Sequence, residues 1–354
     1  GMMYKQFLMA ALCAAGLAAA GCSNSGRTEG ASAGGGDHAP VRISVGSYNL
    51  NNLPFFIADA KGYFKDVGLQ VKTENFAQGG SKVLQALVAN STDVAVGFYD
   101  HTIQMQAKGK DVVAFVLLSR NSGLVMAGRE DASFDPARPE TIKGQKVGIT
   151  APGSSSDFFV RHFLAQHDIP VDSVSLIGVG SGAAAVAALE QGKIDLLVNY
   201  DPAATLITER KVGKILLDAR SDDGARQVYG GLYPTSVMYA NQSFLDKRPE
   251  AAEKIARAEQ MALKFIADNS AEDIVAALPD SYVSGDRATY ARAVENARAI
   301  FTRDGHFTPA DLETPLKVLR EFNTDVAKAN IDLSRTYTNA FVERANAAAP
   351  AAQP

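Results

Sequence analysis

Tryptophan is absent from the 354 residues and cysteine nearly so, Cys13 and Cys22 being the two thiols, both within the first 22 positions. An export signal would remove the first and use the second as an anchor, which leaves no thiol for a disulfide, a metal or a covalent nucleophile. The fold must then stand on packing alone. Without an indole, any aromatic wall of a binding site falls to phenylalanine or tyrosine. Long basic tracts are missing, and a net charge of -4 argues against nucleic acid as a partner. The histidines (His38, His101, His162, His167 and His306) are scattered, and His162 and His167 lie five apart, on different faces of a helix. No Gly-Lys-Ser/Thr ending of a nucleotide loop occurs, and the one Gly-x-Ser-x-Gly, Gly30-Ala31-Ser32-Ala33-Gly34, lies in a Gly/Ser-rich stretch and not at the strand-to-helix turn of a nucleophile elbow. These absences leave an enzyme, a metal site and a cofactor without residues to carry them.

What is present begins with Lys5, an apolar run from Phe7 to Ala20, and Gly21-Cys22. Residues 1–22 read as a secretory signal, too short to span a membrane. Ala19-Ala20-Gly21 before Cys22 resembles a bacterial lipobox, although Ala19 stands where leucine is usual. Lipidation of Cys22 and simple cleavage within the alanine run are the two alternatives, and both put the mature protein outside the cytoplasm, in a periplasm or at a cell surface. Residues 23–40, Gly/Ser-rich and without apolar period, read as a flexible tether, and the Ala/Pro-rich residues 347–354 as a disordered tail.

From Val41 onward apolar runs alternate with helical stretches, the pattern of βαβ units, and 46% hydrophobic residues suffice for a sizeable core of two domains. Strands are expected at Val41–Val45, Leu69–Val71, Asp93–Val96, Lys146–Thr150 and Gly213–Leu217, and helices at Leu53–Phe64, Ser81–Ala89, Pro249–Ile266 and Arg287–Phe301. Ile255, Ala258, Ala262 and Phe265 should form one buried helix face. Tyr233–Ala240 is an apolar run able to carry the chain back to its first half. An internal repeat at an offset of about 102 residues aligns Phe55-Phe56-Ile57 with Phe158-Phe159-Val160 and Asp93 with Asp195. The repeat predicts two similar lobes whose strand ends and helix starts face a common crevice.

The stretch Pro152–Leu164 is central to that crevice. Gly153, Ser154, Ser155 and Ser156 open a helix after a strand, offering unpaired amides, hydroxyl donors and the positive end of the helix dipole to a small anion. An ordinary N-cap is the competing reading. Asp100 and Asp201, at strand ends, suit an amine or amidine donor, though Asp201-Pro202 is also a natural helix start. Tyr48, Phe98, Tyr99 and Tyr200 are candidate walls, or packing between the halves. Arg120 is either a fixed countercharge or a solvated strand end.

Four segments carry a family resemblance: LPFFIADAKGYFKDVGLQV (53–71), GGSKVLQALVAN (79–90), KVGITAPGSSSDFFVRHFL (146–164) and GVGSGAAAVAALEQGKIDLLVNYDPA (178–203). Together they resemble the extracytoplasmic solute-binding proteins of the nitrate, sulfonate and taurine class of ABC importers, which include binders of thiamine-pyrimidine precursors. The resemblance implies an α/β, two-lobed type II periplasmic-binding fold, each lobe a mixed sheet flanked by helices, with two hinge crossings. Lobe 1 would comprise residues 41–128 and 238–346, and lobe 2 residues 129–237. It implies a monomer that binds a small anionic or zwitterionic solute, a permease as partner, and attachment to the membrane through the lipid anchor. Gly153, Ser154, Ser155 and Ser156 resemble the second-lobe anion loop, and Tyr48, Gly80-Ser81 and Phe98-Tyr99-Asp100 the first-lobe contacts. The neighbouring Asn49, Asn199 and Asp201 complete the candidate ligand-binding set. A binder of an aminated heterocycle is the alternative, and an enzyme is a third reading, because fungal thiamine-pyrimidine synthases share the fold. Their cysteine-rich signature is missing from this chain.

If the Ser155 loop receives an anionic group, Ser155→Glu abolishes binding of the solute and leaves the thermal midpoint of the free protein little changed. Unchanged affinity in that variant would move the site elsewhere.

Overall fold

A computed structural model describes residues 38–75 and 80–348, with the side chains of residues 75, 80 and 81 excepted. The signal, Cys22, most of the tether, and residues 349–354 of the tail lie outside the described residues. Residues 347 and 348, expected in the tail, form the last turn of a helix, Ala340–Ala348.

Ten strands make two sheets. They are β1 (Val41–Val45), β2 (Val71–Asn75), β3 (Val94–Phe98), β4 (Val112–Leu117), β5 (Val125–Arg129), β6 (Lys146–Ile149), β7 (Ser175–Gly178), β8 (Leu196–Asn199), β9 (Gly213–Asp218) and β10 (Ser236–Asn241). The first sheet runs β2-β1-β3-β10-β4 and the second β7-β6-β8-β5-β9. In each, three parallel strands meet one antiparallel strand, β10 or β5. That strand carries a register shift at Met238/Tyr239 in one sheet and at Met126/Ala127 in the other. The expected repeat thus reappears as the same strand order twice.

Helices cover both faces of each sheet, so inner strands read as continuous apolar runs; all six residues of β4, VVAFVL, are buried. The edge strand β2 departs from that rule. It starts at Val71, where the apolar run Leu69–Val71 ends, and continues through Lys72 and Glu74, because an edge needs apolar residues on one side only. The expected Leu53–Phe64 helix is two, Leu53–Ala60 and Tyr63–Asp66, broken at Gly62, whose φ of 72° is left-handed. On the Pro249–Asp268 helix Ile255, Ala258 and Ala262 are buried as expected, whereas Phe265 sits half-buried at the margin and Ile266 takes the inward position.

The lobe limits differ from expectation at one strand. β5 was placed within 41–128, yet it pairs with β8 and β9, so the chain leaves the first sheet after β4 and returns only at β10. The two crossing segments lie side by side. Thr235 N–H donates to Ser119 O at 2.9 Å, and Ser236 N–H donates to Ser119 Oγ at 2.8 Å. Asn51 Nδ2 donates to Ser122 O at 2.8 Å, and Ser236 Oγ donates to Asn52 Oδ1 at 2.5 Å. Arg120 belongs here, paired with Asp222, and is not a countercharge in the crevice.

Two C-terminal helices join the lobes elsewhere. The helix Glu313–Phe322 packs between the helices Asp100–Ala107 and Ser155–Gln166. Leu316 and Leu319 join a core with Tyr99 and Ile103, and Val318 joins the core of Phe159 and Phe163. Phe322 stacks on Phe158 at 5.9 Å, and Glu321 accepts from or pairs with His162 Nδ1 at 2.8 Å. From the helix Arg287–Ala297, Asn296 Nδ2 donates to Thr205 Oγ1 at 2.9 Å, and Arg292 pairs with Glu209 on the helix Ala203–Glu209.

Leu319→Ala, which empties a buried site in this shared helix, lowers the unfolding free energy by about 3 kcal/mol in urea titration. Lys317→Ala, on the exposed side of the same helix, changes it by less than about 0.5 kcal/mol.

Candidate functional site

The C-terminal ends of β3, β6 and β8 open into one cleft of 560 Å³ between the two sheets. Its first-lobe wall contains Ser47, Asn49, Asn52, Phe98, Asp100 and His101; its second-lobe wall contains Pro152, Gly153, Ser154, Ser155, Phe158 and Tyr200. A smaller chamber of 340 Å³ shares Ser47, Asn49 and Tyr200 and adds Tyr48, Asn199, Asp201 and Ser284.

Three consecutive serines adopt three different roles. Ser154 is the N-cap, its Oγ accepting from Asp157 N–H at 3.3 Å. Ser156 is buried and turned inward, its Oγ accepting from Thr150 N–H and lying 2.8 Å from both Thr150 Oγ1 and Ser154 Oγ. Gly153 donates its amide to Asp157 Oδ2 at 2.8 Å, and Arg161 Nε holds the other oxygen of Asp157. This closed ring commits Ser156 and the Gly153 amide to the loop itself. The Ser155 hydroxyl faces the cleft in hydrogen-bond contact with the Tyr200 phenol, beside the helix's first amides, which have no carbonyl one turn earlier to bond. The N-cap reading and the ligand-facing reading therefore apply to adjacent residues.

Opposite lies Asp100, first residue of its helix. It is 8% exposed and its Oδ1 has no hydrogen-bond partner. Backbone amides of Asp100 and His101 face the carboxyl group; burial pushes its pKa up, and the His101 charge and those amides oppose the rise. Beneath it, the Tyr239 ring lies against Gly97, where a Cβ would come within 2.6 Å of the Tyr239 hydroxyl, so the strand needs glycine there. That hydroxyl is 3.0 Å from His101 Nδ1. Burial raises the pKa of Tyr200, Tyr233 and Tyr239, which keeps their hydroxyls protonated.

The other candidates divide. Phe98 lines the cleft, with its ring centroid 6.4 Å from that of Tyr200. Tyr99 does not: successive strand-end residues point to opposite sides, and its ring is wholly buried against Phe307 with its hydroxyl 2.6 Å from Thr336 Oγ1. Asp201 lines the smaller chamber but is already partnered, Oδ1 by Thr205 and Oδ2 by Arg220 Nη1 at 3.1 Å. Asn199 shapes its loop through Gly180 O and Tyr200 N–H. Asn49 caps a turn through Asn51 N–H, and Tyr48 packs on Phe56 and Tyr282 at the chamber's edge. Gly80 and Ser81 open the helix Gly80–Val88, and their side chains lie outside the described residues.

Sequence reasoning missed Asn52, His101, Gln104 and Phe158 as lining residues. Gln104 follows Asp100 by four and Phe158 follows Ser155 by three, so helical spacing from the two anchors would have found both. Among the described residues no three His, Cys, Asp or Glu side chains gather as a metal site.

Two mixed sheets of the same strand order, each with one antiparallel strand that follows a crossing, and a cleft at their strand ends define the periplasmic-binding-protein fold. The chain belongs to the NMT1/THI5-like family, which it matches over residues 49–273. A solved protein from Bordetella bronchiseptica RB50 is 37% identical, with a TM-score of 0.76 over 88% of this chain and 98% of that one. The periplasmic aliphatic sulphonate-binding protein SsuA from Escherichia coli is 18% identical (TM-score 0.67, covering 84% of this chain and 91% of that one). The periplasmic nitrate-binding protein NrtA from Synechocystis PCC 6803 is 16% identical (TM-score 0.66, covering 87% and 88%). At such identities the last two likenesses show the fold.

A carboxyl group whose pKa is raised on folding destabilises the folded state above that raised pKa, and the penalty vanishes below the unfolded value, where both states are protonated. Asp100→Asn therefore raises the melting temperature of the ligand-free protein at pH 7, and the gain shrinks as pH falls toward the ordinary aspartate range. Melts of both proteins across pH check it.

Proposed function

We propose that this chain is the extracytoplasmic substrate-binding protein of an ABC importer of the sulfonate and nitrate class, which captures a small polar solute between its lobes and presents it to a permease. The observation that carries the reading is the cleft itself, with Ser155 and its helix start on one wall and, on the other, Asp100, whose Oδ1 has no hydrogen-bond partner. A solute docks on one lobe, the second lobe adds its contacts, and the difference in contacts stabilises the closed form. The family match and the fold shared with sulphonate- and nitrate-binding proteins support this. Cys22 serves in this reading as a lipid anchor and residues 23–40 as the tether of a monomer. Lobe 1 is residues 41–124 with 236–346, and lobe 2 lies between.

Catalysis has less support. Among the described residues His101 is the imidazole lining the cleft, and its Nδ1 is turned to Tyr239 rather than to Ser155. A second binding reading, a thiamine-pyrimidine precursor or similar aminated heterocycle, is favoured by the aromatic walls Phe98, Phe158 and Tyr200 beside Asp100.

A thermal-shift panel of sulfonates, nitrate, taurine and aminopyrimidines tests the assignment. A true ligand at a hundred times its Kd adds about 2.7 kcal/mol of stability. Ser155→Trp, filling the cleft from the second lobe, removes that shift. Conversion of a bound compound by the purified protein, or binding indifferent to Ser155→Trp, would overturn the reading.

A further inference from the structure

The cleft is lined by an acid and an imidazole, without a fixed cation. Among its described lining residues Asp100 and His101 are the ionisable side chains besides Tyr200, and the smaller chamber adds Asp201 and Tyr48. No lysine or arginine lines either space among the described residues. Asp201 has its cation: Arg220 Nη1 lies 3.1 Å from Oδ2, with Thr205 on Oδ1. Arg220 is in turn gripped by Asp218 through Nε and Nη2, both at 2.9 Å, and so carries no surplus charge into the cleft.

Asp100 has none. Its Oδ1 is out of water and without a hydrogen-bond partner, and the side chains around it are the phenols of Tyr200, Tyr233 and Tyr239 and the imidazole of His101, which is engaged with Tyr239. A buried carboxylate lacking a cation is costly to maintain, and a ligand that supplies the cation recovers that cost on binding. A bare oxyanion does the opposite: it brings a second negative charge into a low-dielectric space, where the amides of one helix start and the Ser155 hydroxyl are its counterweight.

We propose that Asp100 is the specificity-determining residue of this cleft, and that the solute carries a positively charged nitrogen with N–H donors, an ammonium or amidinium group directed at Asp100, while its other end meets Ser155. Oxyanions that lack such a nitrogen, nitrate and simple alkanesulfonates among them, are rejected. The inference rests on the substrate-binding reading and narrows it, because zwitterions and aminated heterocycles satisfy Asp100 and plain anions do not.

Matched probes isolate the nitrogen. Taurine and ethanesulfonate differ by one ammonium group, and benzamidine and benzamide by the charge of an amidinium. With the purified full chain at pH 7, in at least one pair the nitrogen cation binds at least tenfold more tightly than its match by calorimetry. Asp100→Asn erases that preference while the free variant melts no lower than the parent. Equal behaviour within both pairs, including no binding by any probe, overturns the proposal. So does a free Asp100→Asn protein that melts lower, which would make the carboxyl structural. Asp100→Asn that leaves the affinities for both members of a pair at the parent's values also overturns it, because the carboxylate would then play no part in the choice. Ethanesulfonate or nitrate binding that Ser155→Trp removes would sink the role of Asp100 and leave the substrate-binding reading standing, whereas turnover of a probe would sink that reading itself.

Discussion

Ser119 and Ser236 meet where the chain passes between the sheets, one leaving the first sheet and the other entering it, and the backbone and hydroxyl bonds between these segments determine what surrounds them. β5 and β10 are the antiparallel strands of their respective sheets, and each lies beyond a crossing. The second sheet is one continuous run, β5 to β9, whereas the first lacks β10 until the chain returns, so the two lobes cannot be separated by cutting one linker. The crossings also place the parallel strand ends of both sheets toward the same space. A cleft at that position follows from strand order before any side chain is considered.

Within the cleft, polar groups are divided between those that build the walls and those that face the interior. Thr150, Ser154, Ser156 and Asp157 satisfy one another, and that closed set holds the start of the Ser155 helix in place. The Asp201–Thr205–Arg220 cluster does the same beneath the smaller chamber and reaches across to Asn296 of the other lobe. Asp100 stands outside both networks. Buried polar groups in folded proteins are nearly always bonded, and the proposed contact with a solute rests on this carboxyl oxygen being left without a partner beside an open space.

The sequence showed the architecture more readily than the site. Strands covered on both faces read as apolar runs, and a duplicated pattern such as Phe55-Phe56-Ile57 against Phe158-Phe159-Val160 survives because both triplets sit on helices packed against equivalent sheets. Strand β2 was shortened because an edge tolerates Lys72 and Glu74. The expected limit at residue 128 encloses most of β5 because an apolar strand beside a crossing does not reveal in its composition which sheet it joins. At the site, residue type pointed to Ser155 and Asp100, but direction was invisible. Tyr99 and Phe98 differ by one position and face opposite sides, and the hydroxyl of Ser156 is indistinguishable on paper from that of Ser155 although one closes a loop and the other meets the cleft. The partner of Asp201 is Arg220, nineteen residues on, and nothing in local spacing announces it.

The helix Glu313–Phe322 belongs to the cores of both lobes at once, with Leu316 and Leu319 on one side and Val318 on the other. It therefore acts as a fulcrum behind the mouth. The Asp100 and Ser155 helices can tilt against it, but neither can swing away without losing its apolar seat. A widening of the mouth that kept both apolar seats would have to roll over this helix, and such a roll would reach the outer surface of the molecule. A membrane component touching that surface could sense whether the chamber is full without reaching the solute.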